Sequence, residues 1–270
     1  MPSPARAACF SCYALALAWP VSAPPTRGLP AESLAFQTAQ LRSPGLRPAE
    51  RLSEYLARDF GPLWTQTNAE AVVGFIGPRY QRLEVKVLTA TRSPTDPAQY
   101  ILTGKTRVAG TVSAFSGTLR LVRLRVAAPR PRLDGGDGRL PAGAREGVVV
   151  GQYVFAEPTG QAKTGVFRGV VVTHWYVDGR GHLRYNDADL GASDGFANNQ
   201  FVGTWTGYAT SRAVRCNWGD YRVPNAGPLD IGAGEFSPDS KYYSAGWQEY
   251  AATVPEPKSP RPTVTQVWWK

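Results

Sequence analysis

Apolar and polar residues alternate along much of the chain from Ala71 onward. Between residues 82 and 87, Arg, Glu and Lys alternate with Leu, Val and Val. The runs 100–108 and 122–126 show the same alternation, with Lys or Arg among the polar positions. Because successive side chains of a strand point to opposite faces, these runs are predicted to be strands with one buried and one charged face. A sheet with one face towards water is typically antiparallel.

Later runs extend the β pattern. Strands are predicted at 148–156, 166–177, 182–186 and 201–208, and the Asp-Gly at 178–179 indicates a hairpin. Roughly eight short strands without alternating helices predict an all-β barrel or sandwich. We favour an antiparallel β-barrel, because successive strands are joined mostly by short turns and several contain glycines that relieve curvature. A β-sandwich is the alternative.

One amphipathic helix is predicted before the strands. Its apolar stripe has helical spacing and consists of Leu52, Tyr55, Leu56 and Phe60. Pro48 suits the first turn of such a helix, and Gly61-Pro62 ends it. The helix can close one end of a barrel or pack on a sheet. Residues 130–147 lack periodicity, contain many Gly and Pro, and are predicted to be a long loop.

The first residues are typical of a signal peptide. Arg6 precedes a short apolar run at 7–19, and Val21-Ser22-Ala23 places small residues where a signal peptidase cleaves. The run is shorter than the ~20 residues that a membrane-spanning helix needs. We therefore expect an exported protein, periplasmic or secreted, that does not span the membrane.

These patterns divide the chain into four segments. They are a signal peptide at 1–23, a flexible leader at 24–46, a single barrel domain with its helix at 47–251, and a disordered tail at 252–270. Two of the three cysteines lie in the predicted signal peptide, which leaves Cys216 without a partner for an internal disulfide. The core is therefore expected to depend on the burial of apolar side chains.

The formal net charge of the 270-residue chain is +9, and much of it lies between Arg79 and Arg132. Eleven basic residues in this stretch are opposed only by Glu84 and Asp96. A basic sheet face can bind an anionic polymer or an anionic lipid. It can equally be a solvated strand face that prevents edge-to-edge aggregation, and we favour this second interpretation.

Aromatic residues interleave with amides and carboxylates between Asn198 and Trp247. The residues that we predict to bind a ligand are Trp205, Tyr208, Asn217, Trp218, Asp220, Tyr221, Arg222 and Glu235. Aromatic rings beside a few polar groups suit a sugar or a small planar ligand in a concave pocket. The same composition also suits an ordered cap, in which Tyr and Trp find partners for their polar atoms.

Motifs for catalysis are weak, so a non-enzymatic protein is favoured. A glycosidase needs two carboxylates that face one bond across ~5 to 10 Å, and Asp220 and Glu235 are the best candidates for such a pair. Only two histidines, His174 and His182, are available as the base of a serine hydrolase. The histidine at 174 lies within a predicted strand and is expected to be structural. No Cys/His cluster has zinc spacing, and neither a metal nor a cofactor is expected.

Short segments of the chain resemble known families. Gly203-Thr204-Trp205 is similar to the G-x-W of lipocalins and the G-T-W of avidins, and this resemblance implies a calycin-like barrel that binds a small ligand internally. A broader likeness is carried by the segments FIGPRYQRL, NNQFVGTWTGY, CNWGDYRVPN and LDIGAGEFSPD. Together they resemble a group of exported bacterial proteins of unassigned function, which implies export without naming a ligand.

The sequence therefore predicts an exported, non-enzymatic β-barrel that binds a small molecule, a lipid or a glycan, with no nucleic acid as partner. The late aromatic segment would line or cover the pocket. One alternative is a carbohydrate-active hydrolase that uses Asp220 and Glu235. Another is an envelope interaction module whose basic sheet face binds an anionic polymer. No oligomeric state follows from these patterns.

Overall fold

A computed structural model describes most of the chain, namely residues 28–128, 140–141, 143–191, 193–253 and 267–270. The predicted signal peptide lies outside these residues. So do much of the predicted long loop and most of the predicted disordered tail.

Nine strands form the described part of the fold. Their bounds are β1 Val72–Ile76, β2 Gln81–Arg92, β3 Gln99–Val108, β4 Thr111–Val126, β5 Arg145–Ala156, β6 Gly165–Val177, β7 Leu183–Tyr185, β8 Asn198–Gly207 and β9 Ala213–Asp220. Strand β5 thus begins inside the predicted loop 130–147.

Eight of these strands close into an antiparallel barrel. The order around the barrel is β1–β2–β3–β4–β5–β6–β8–β9, and β1 pairs back with β9. Strand β7 is an addition that pairs with the last residues of β6, beyond the part of β6 that pairs with β8. The predicted all-β antiparallel barrel is confirmed. Because the sheet closes on itself, the sandwich alternative is excluded.

Four α-helices accompany the strands among the described residues. They are α1 Ala31–Leu41, α2 Leu52–Tyr55, α3 Pro62–Thr65 and α4 Gln248–Thr253. Three 3₁₀ turns occur at Ala69–Ala71, Gly227–Leu229 and Ser240–Ala245. None of the described helices has the length and apolar character needed to cross a membrane.

The barrel has two different ends. At the upper end, as we call it, β1 begins and β9 ends, and α2 and α3 lie there. The lower end carries the connections 77–80, 109–110, 157–164 and 208–212, each of which joins two consecutive strands.

The interior of the barrel is filled with side chains, many of them aromatic. Phe201 and Trp218 stack with their ring centroids 4.6 Å apart, and Tyr153 lies 5.3 Å and 5.4 Å from these two rings. All three side chains are at most 3% exposed. An eight-stranded barrel is just wide enough for side chains to fill it or for one small ligand to enter. Here side chains occupy the middle of the barrel.

The predicted amphipathic helix is replaced by two short helices. Its apolar stripe does face the core, since Tyr55 and Phe60 are buried there, but the backbone turns between α2 and α3. Leu63 and Trp64 of α3 are also buried in the barrel core. The Phe60 amide donates to the Tyr100 hydroxyl at 2.9 Å. These contacts close the upper end, which a straight helix over the same residues would not do.

Helix α1 lies in the segment that the sequence assigned to a flexible leader. Phe36 and Leu41 pack on the outer face of β5, β6 and β8, and the Ser33 hydroxyl donates to the Val202 carbonyl at 2.7 Å. The residues of these strands that α1 covers are valines. A strand that is buried on both faces has a continuous run of apolar residues. The Val-Val-Val runs at 148–150 and 170–172 have this pattern and indicate that both faces of β5 and β6 are buried there.

A second outer layer covers β1. Val73 and Phe75 point away from the interior and pack against a cluster that includes Leu229, Phe236 and the fully buried Trp247. This part of the aromatic segment therefore packs outside the barrel. It agrees with the interpretation of the segment as an ordered cap.

Two glycines make room for one buried hydroxyl. A Cβ atom on Gly203 or on Gly169 would lie 2.5 Å or 2.8 Å from the Tyr153 hydroxyl oxygen. Gly203 is the first residue of the G-T-W triplet, and a larger residue there would collide with the Arg168 carbonyl oxygen, at 2.2 Å, as well as with the Tyr153 hydroxyl. The hydroxyl has no hydrogen-bond partner among the described residues, and burial raises its pKa well above the ordinary value.

We expect Tyr153→Phe to leave the free energy of unfolding unchanged or to raise it by about 1 kcal/mol, because it removes an unpaired buried hydroxyl. Tyr100→Phe is the matched control and should lower that free energy by about 1 to 3 kcal/mol, because the Phe60 amide loses its acceptor. Urea denaturation measures both. Equal destabilisation by the two substitutions would contradict this account of the core.

Candidate functional site

A buried carboxylate lies at the upper end of the barrel. Asp220 ends β9, two residues after the inward Trp218, and it is 3% exposed. One oxygen, Oδ2, accepts three hydrogen bonds of 2.8 Å, from the Thr67 hydroxyl, the Tyr185 hydroxyl and the Asn199 amide. These donors come from the chain before β1, from β7 and from β8. Asp220 thus joins three separate elements.

The same network holds α3 in place. The Asn199 side-chain amide also donates to the Leu63 carbonyl at 2.7 Å. Thr173 donates to the Asn199 side-chain oxygen at 2.8 Å, and the Trp64 indole N–H donates to the Thr173 hydroxyl at 3.1 Å. Asn199 has a positive φ of 43°, a conformation that Asn adopts more readily than most residues. The network therefore fixes the helix that closes the barrel.

Burial raises the pKa of Asp220 to about 7, although its three hydrogen bonds and the nearby Lys86 favour the charged form. Lys86 is itself held by the Thr65 and Thr67 carbonyls, at 3.2 Å and 2.8 Å. A shifted carboxyl can mark a catalytic group or a structural network. Because Asp220 is enclosed by its own donors, its geometry favours a structural role.

A cleft of about 320 Å³ opens at the upper end beside α2. Its lining residues are Glu54, Tyr55, Arg58, Gly143, Arg145, Val177, Asp178, Gly179 and Gly181. The Tyr55 ring packs on Trp175 with a centroid separation of 4.8 Å, and the Arg58 guanidinium carbon lies 5.8 Å from the Tyr55 ring centroid. The cleft thus combines an aromatic ring with charged groups of both signs.

The two acidic residues of the cleft are already engaged. Asp178 accepts hydrogen bonds from the backbone amides of His182 and Arg180, at 2.9 Å and 3.0 Å, and pairs with Arg184 at 3.3 Å. The His182 amide, followed by the other donors, lowers the pKa of Asp178 to about 2. Glu54 forms an ion pair with Arg51, one turn away on the chain, at 2.7 Å.

The two guanidinium groups are less engaged than the acids. Arg58 donates to the Gly181 carbonyl, which carries no formal charge. Arg145 is exposed, and within the described part of the chain its side chain has neither an ion pair nor a hydrogen bond. The carboxylates are neutralised locally, whereas neither cation has a carboxylate partner in the part of the chain that the structure describes, so the cleft favours an anionic group.

A second depression, of about 460 Å³, lies between α2 and the β2–β3 turn. Its one charged lining residue is Arg92, whose guanidinium donates to the carbonyls of Leu56, Ala57 and Arg58. Because that group is already used to cap α2, this depression offers a ligand little beyond Pro and Leu side chains.

The predicted ligand-binding residues are not brought together. Trp205 and Tyr208 lie at the lower end, where the Trp205 indole donates to the Glu157 carboxylate at 2.9 Å and the Tyr208 hydroxyl to the Glu157 carbonyl at 3.0 Å. Burial raises the pKa of Glu157. Trp218 fills the middle of the barrel, and Asp220 lies at the upper end.

The remaining predicted residues lie outside the barrel wall or on its rim. The Asn217 amide donates to the Glu32 carboxylate of α1 at 3.1 Å. Arg222 pairs with Asp230 in the outer layer, and the Tyr221 ring lies 5.2 Å from Phe196. Glu235 is exposed on a loop. Asp220 is enclosed by its own donors, whereas Glu235 is exposed, so the two carboxyls proposed for a hydrolase lie in different environments.

Most basic residues of the β2–β4 face have partners within the fold. Arg82 and Arg107 pair with Glu84, Arg120 pairs with Asp96, and Arg125 donates to the Leu41 carbonyl of α1. These contacts tie the strands to each other and to the outer layers. They leave less free positive charge on this face than the sequence count indicates.

Sequence reasoning missed the cleft residues. Arg145 lies in the segment predicted to be a loop, and Arg58 lies on the polar side of the predicted helix. Neither belongs to a motif, and they meet only because the barrel closes. Among the described residues, no three His, Cys, Asp or Glu side chains group as metal ligands.

Comparison of the chain with protein-family models, with curated proteins and with solved structures gives no match. Function is therefore inferred from the site itself.

We expect the stability of the protein to depend on pH through Asp220. Its pKa is about 7 in the folded state against 3.8 for an ordinary Asp, so the folded state holds this proton more tightly than the unfolded state. The associated stabilisation is complete below the lower value and is lost as the pH rises towards 7. Between about pH 4 and pH 7, the free energy of unfolding of the Asp220→Asn variant should therefore fall less than that of the wild type.

Denaturant titrations across this pH range measure the effect. Asp187→Asn, at an exposed position, is the control and should keep the pH dependence of the wild type. Identical pH profiles for wild type and Asp220→Asn would contradict the assignment.

Proposed function

We propose that this protein is an exported, non-enzymatic β-barrel that binds a ligand with an anionic group, such as a carboxylate, sulfate or phosphate, in the cleft beside α2. The single observation that carries the proposal is that Arg58 and Arg145 line this cleft while its two acids are neutralised by other residues. An acidic sugar is the ligand class that we favour.

The chemistry of the lining supports an acidic sugar. A guanidinium group presents a planar set of donors that matches carboxylate, sulfate and phosphate oxygens. Tyr55 adds an aromatic ring at the same cleft, although most of its surface is buried. A concave site with a few fixed polar groups is the usual form of a small-ligand site.

The filled interior moves the proposed site from the inside of the barrel to its end. Phe201, Trp218 and Tyr153 occupy the middle, and α3 closes the upper end. A binding role therefore does not require the barrel to open. The enclosure of Asp220 by three hydrogen-bond donors argues against the hydrolase alternative.

Export is part of the proposal and is supported by the apolar run 7–19 followed by Val21-Ser22-Ala23. Sequencing the N-terminus of the protein isolated from its own host tests it. We expect Pro24 as the first residue of material from outside the cytoplasm, and a cytoplasmic product that begins at Met1 would contradict export.

We expect Arg145→Glu to weaken the binding of glucuronate at least tenfold, because it puts an anion in place of a cation that has no partner among the described residues. Tenfold corresponds to about 1.4 kcal/mol. Titration calorimetry or ligand-observed NMR measures the affinity. Binding to the wild type should also weaken as salt is added.

The matched control is Arg79→Glu, which makes the same charge change at an exposed position in the lower-end turn 77–80. This variant should leave glucuronate binding within about twofold of the wild type. Arg79 and the cleft lie at opposite ends of the barrel, and salt screens charges that are more than ~8 Å apart. Glucose serves as the uncharged ligand and should bind much more weakly. Equal losses in both variants, or equal binding of glucose and glucuronate, would contradict the proposed site.

A further inference from the structure

A charged cluster lies on the outer face of strands β2 and β3. Glu84 of β2 and Arg107 of β3 are direct neighbours across the two strands. The Arg107 guanidinium holds the Glu84 carboxylate through two contacts, of 2.5 Å and 2.6 Å, and Arg82 reaches the same carboxylate at 3.3 Å. The Glu84 side chain is only 16% exposed. The two guanidinium groups are therefore fixed by one shared anion.

Each of these guanidinium groups lies against an aromatic ring from the C-terminal part of the chain. The Arg82 guanidinium carbon lies 5.5 Å from the centroid of Tyr250, which belongs to α4. The Arg107 guanidinium carbon lies 5.2 Å from the Trp268 ring centroid, and Trp268 packs edge-on against Trp269 at 5.6 Å. The last four residues thus return to the wall of the barrel.

The geometry suits recognition of an indole. A guanidinium group that is held flat by a bidentate carboxylate keeps one face free for stacking, and it loses little conformational freedom when a ring covers it. Trp is the aromatic side chain that attracts a cation most strongly. Trp268 and Trp269 are both half-buried, while Lys270 after them is exposed.

We propose that the outer face of β2–β3 around Arg107 is a docking site for a tryptophan-bearing peptide, and that its occupant is the chain's own C-terminal segment, Val267–Lys270. Trp268 is the residue that binds, through its stack on Arg107. Glu84 is a positioning residue, since it orients the guanidinium without touching the indole in this cluster. This surface shares no residue with the cleft beside α2.

The test uses the full-length chain with the docking segment disabled. The double substitution Trp268→Ala/Trp269→Ala vacates the proposed site. The probe is the synthetic tetrapeptide Val-Trp-Trp-Lys at millimolar concentration, and its binding is measured by ligand-observed NMR. We expect the peptide to bind the vacated chain and to bind the intact chain at least about threefold more weakly, because a tethered competitor has an effective concentration in the millimolar range. The peptide Val-Ala-Ala-Lys should bind neither.

Arg107 is tested on the vacated chain with two substitutions. Arg107→Gln removes the cation, and Arg107→Lys retains a positive charge beside Glu84 but lacks the planar face. Both should reduce peptide binding severalfold, and the lysine variant decides the question if the glutamine variant does not fold. Arg79→Gln on the same background is the control and should bind the peptide like its parent.

Peptide binding that is equal in the intact and vacated chains would overturn the proposal, as would no binding to the vacated chain. Peptide binding that survives Arg107→Lys unchanged would also overturn it. Glucuronate binding is measured on the same proteins. It should be unaffected by Trp268→Ala/Trp269→Ala, so failure of the docking site and failure of the anion cleft are distinguishable.

Discussion

The limited space inside an eight-stranded barrel governs the rest of this structure. Inward residues alternate along every strand, and eight strands enclose little more than the volume of those side chains. In this protein Tyr153, Phe201 and Trp218 take up the middle layer, and Gly203 admits the Tyr153 hydroxyl where a larger residue would collide. The two buried carboxylates consequently lie at the ends of the barrel, Asp220 at the upper end and Glu157 at the lower end.

The outer wall imposes the second constraint. Part of the wall is covered by α1 and part by the chain after β9, whereas the β2–β4 part meets solvent and the C-terminal residues. This division explains why the strands differ in their sequence patterns. The runs 82–87 and 100–108 alternate because their outer positions are mostly polar or charged and are only partly covered. The valine runs at 148–150 and 170–172 do not alternate, because α1 buries their outer face.

The limits of sequence reasoning follow from the same geometry. The stripe formed by Leu52, Tyr55, Leu56 and Phe60 identified residues that face the core, but spacing alone could not show that the backbone breaks between α2 and α3. Asp220 was selected for its neighbours in the chain. Because side chains alternate along a strand, Asp220 points inward like Trp218, two residues before it. There it is buried and bonds residues of the fold. Arg58 and Arg145 lie far apart in the chain and line one cleft only in the folded structure, which no local pattern encodes.

We propose that the filled barrel binds its ligand at the upper rim and not inside. Mapping the backbone and indole N–H chemical shifts of the labelled protein during a glucuronate titration tests it most directly. We expect shifts at 54–58, 143–145 and 177–181, with the signals of Phe201 and Trp218 unmoved. Shifts concentrated at Phe201 and Trp218, with the rim unchanged, would contradict it.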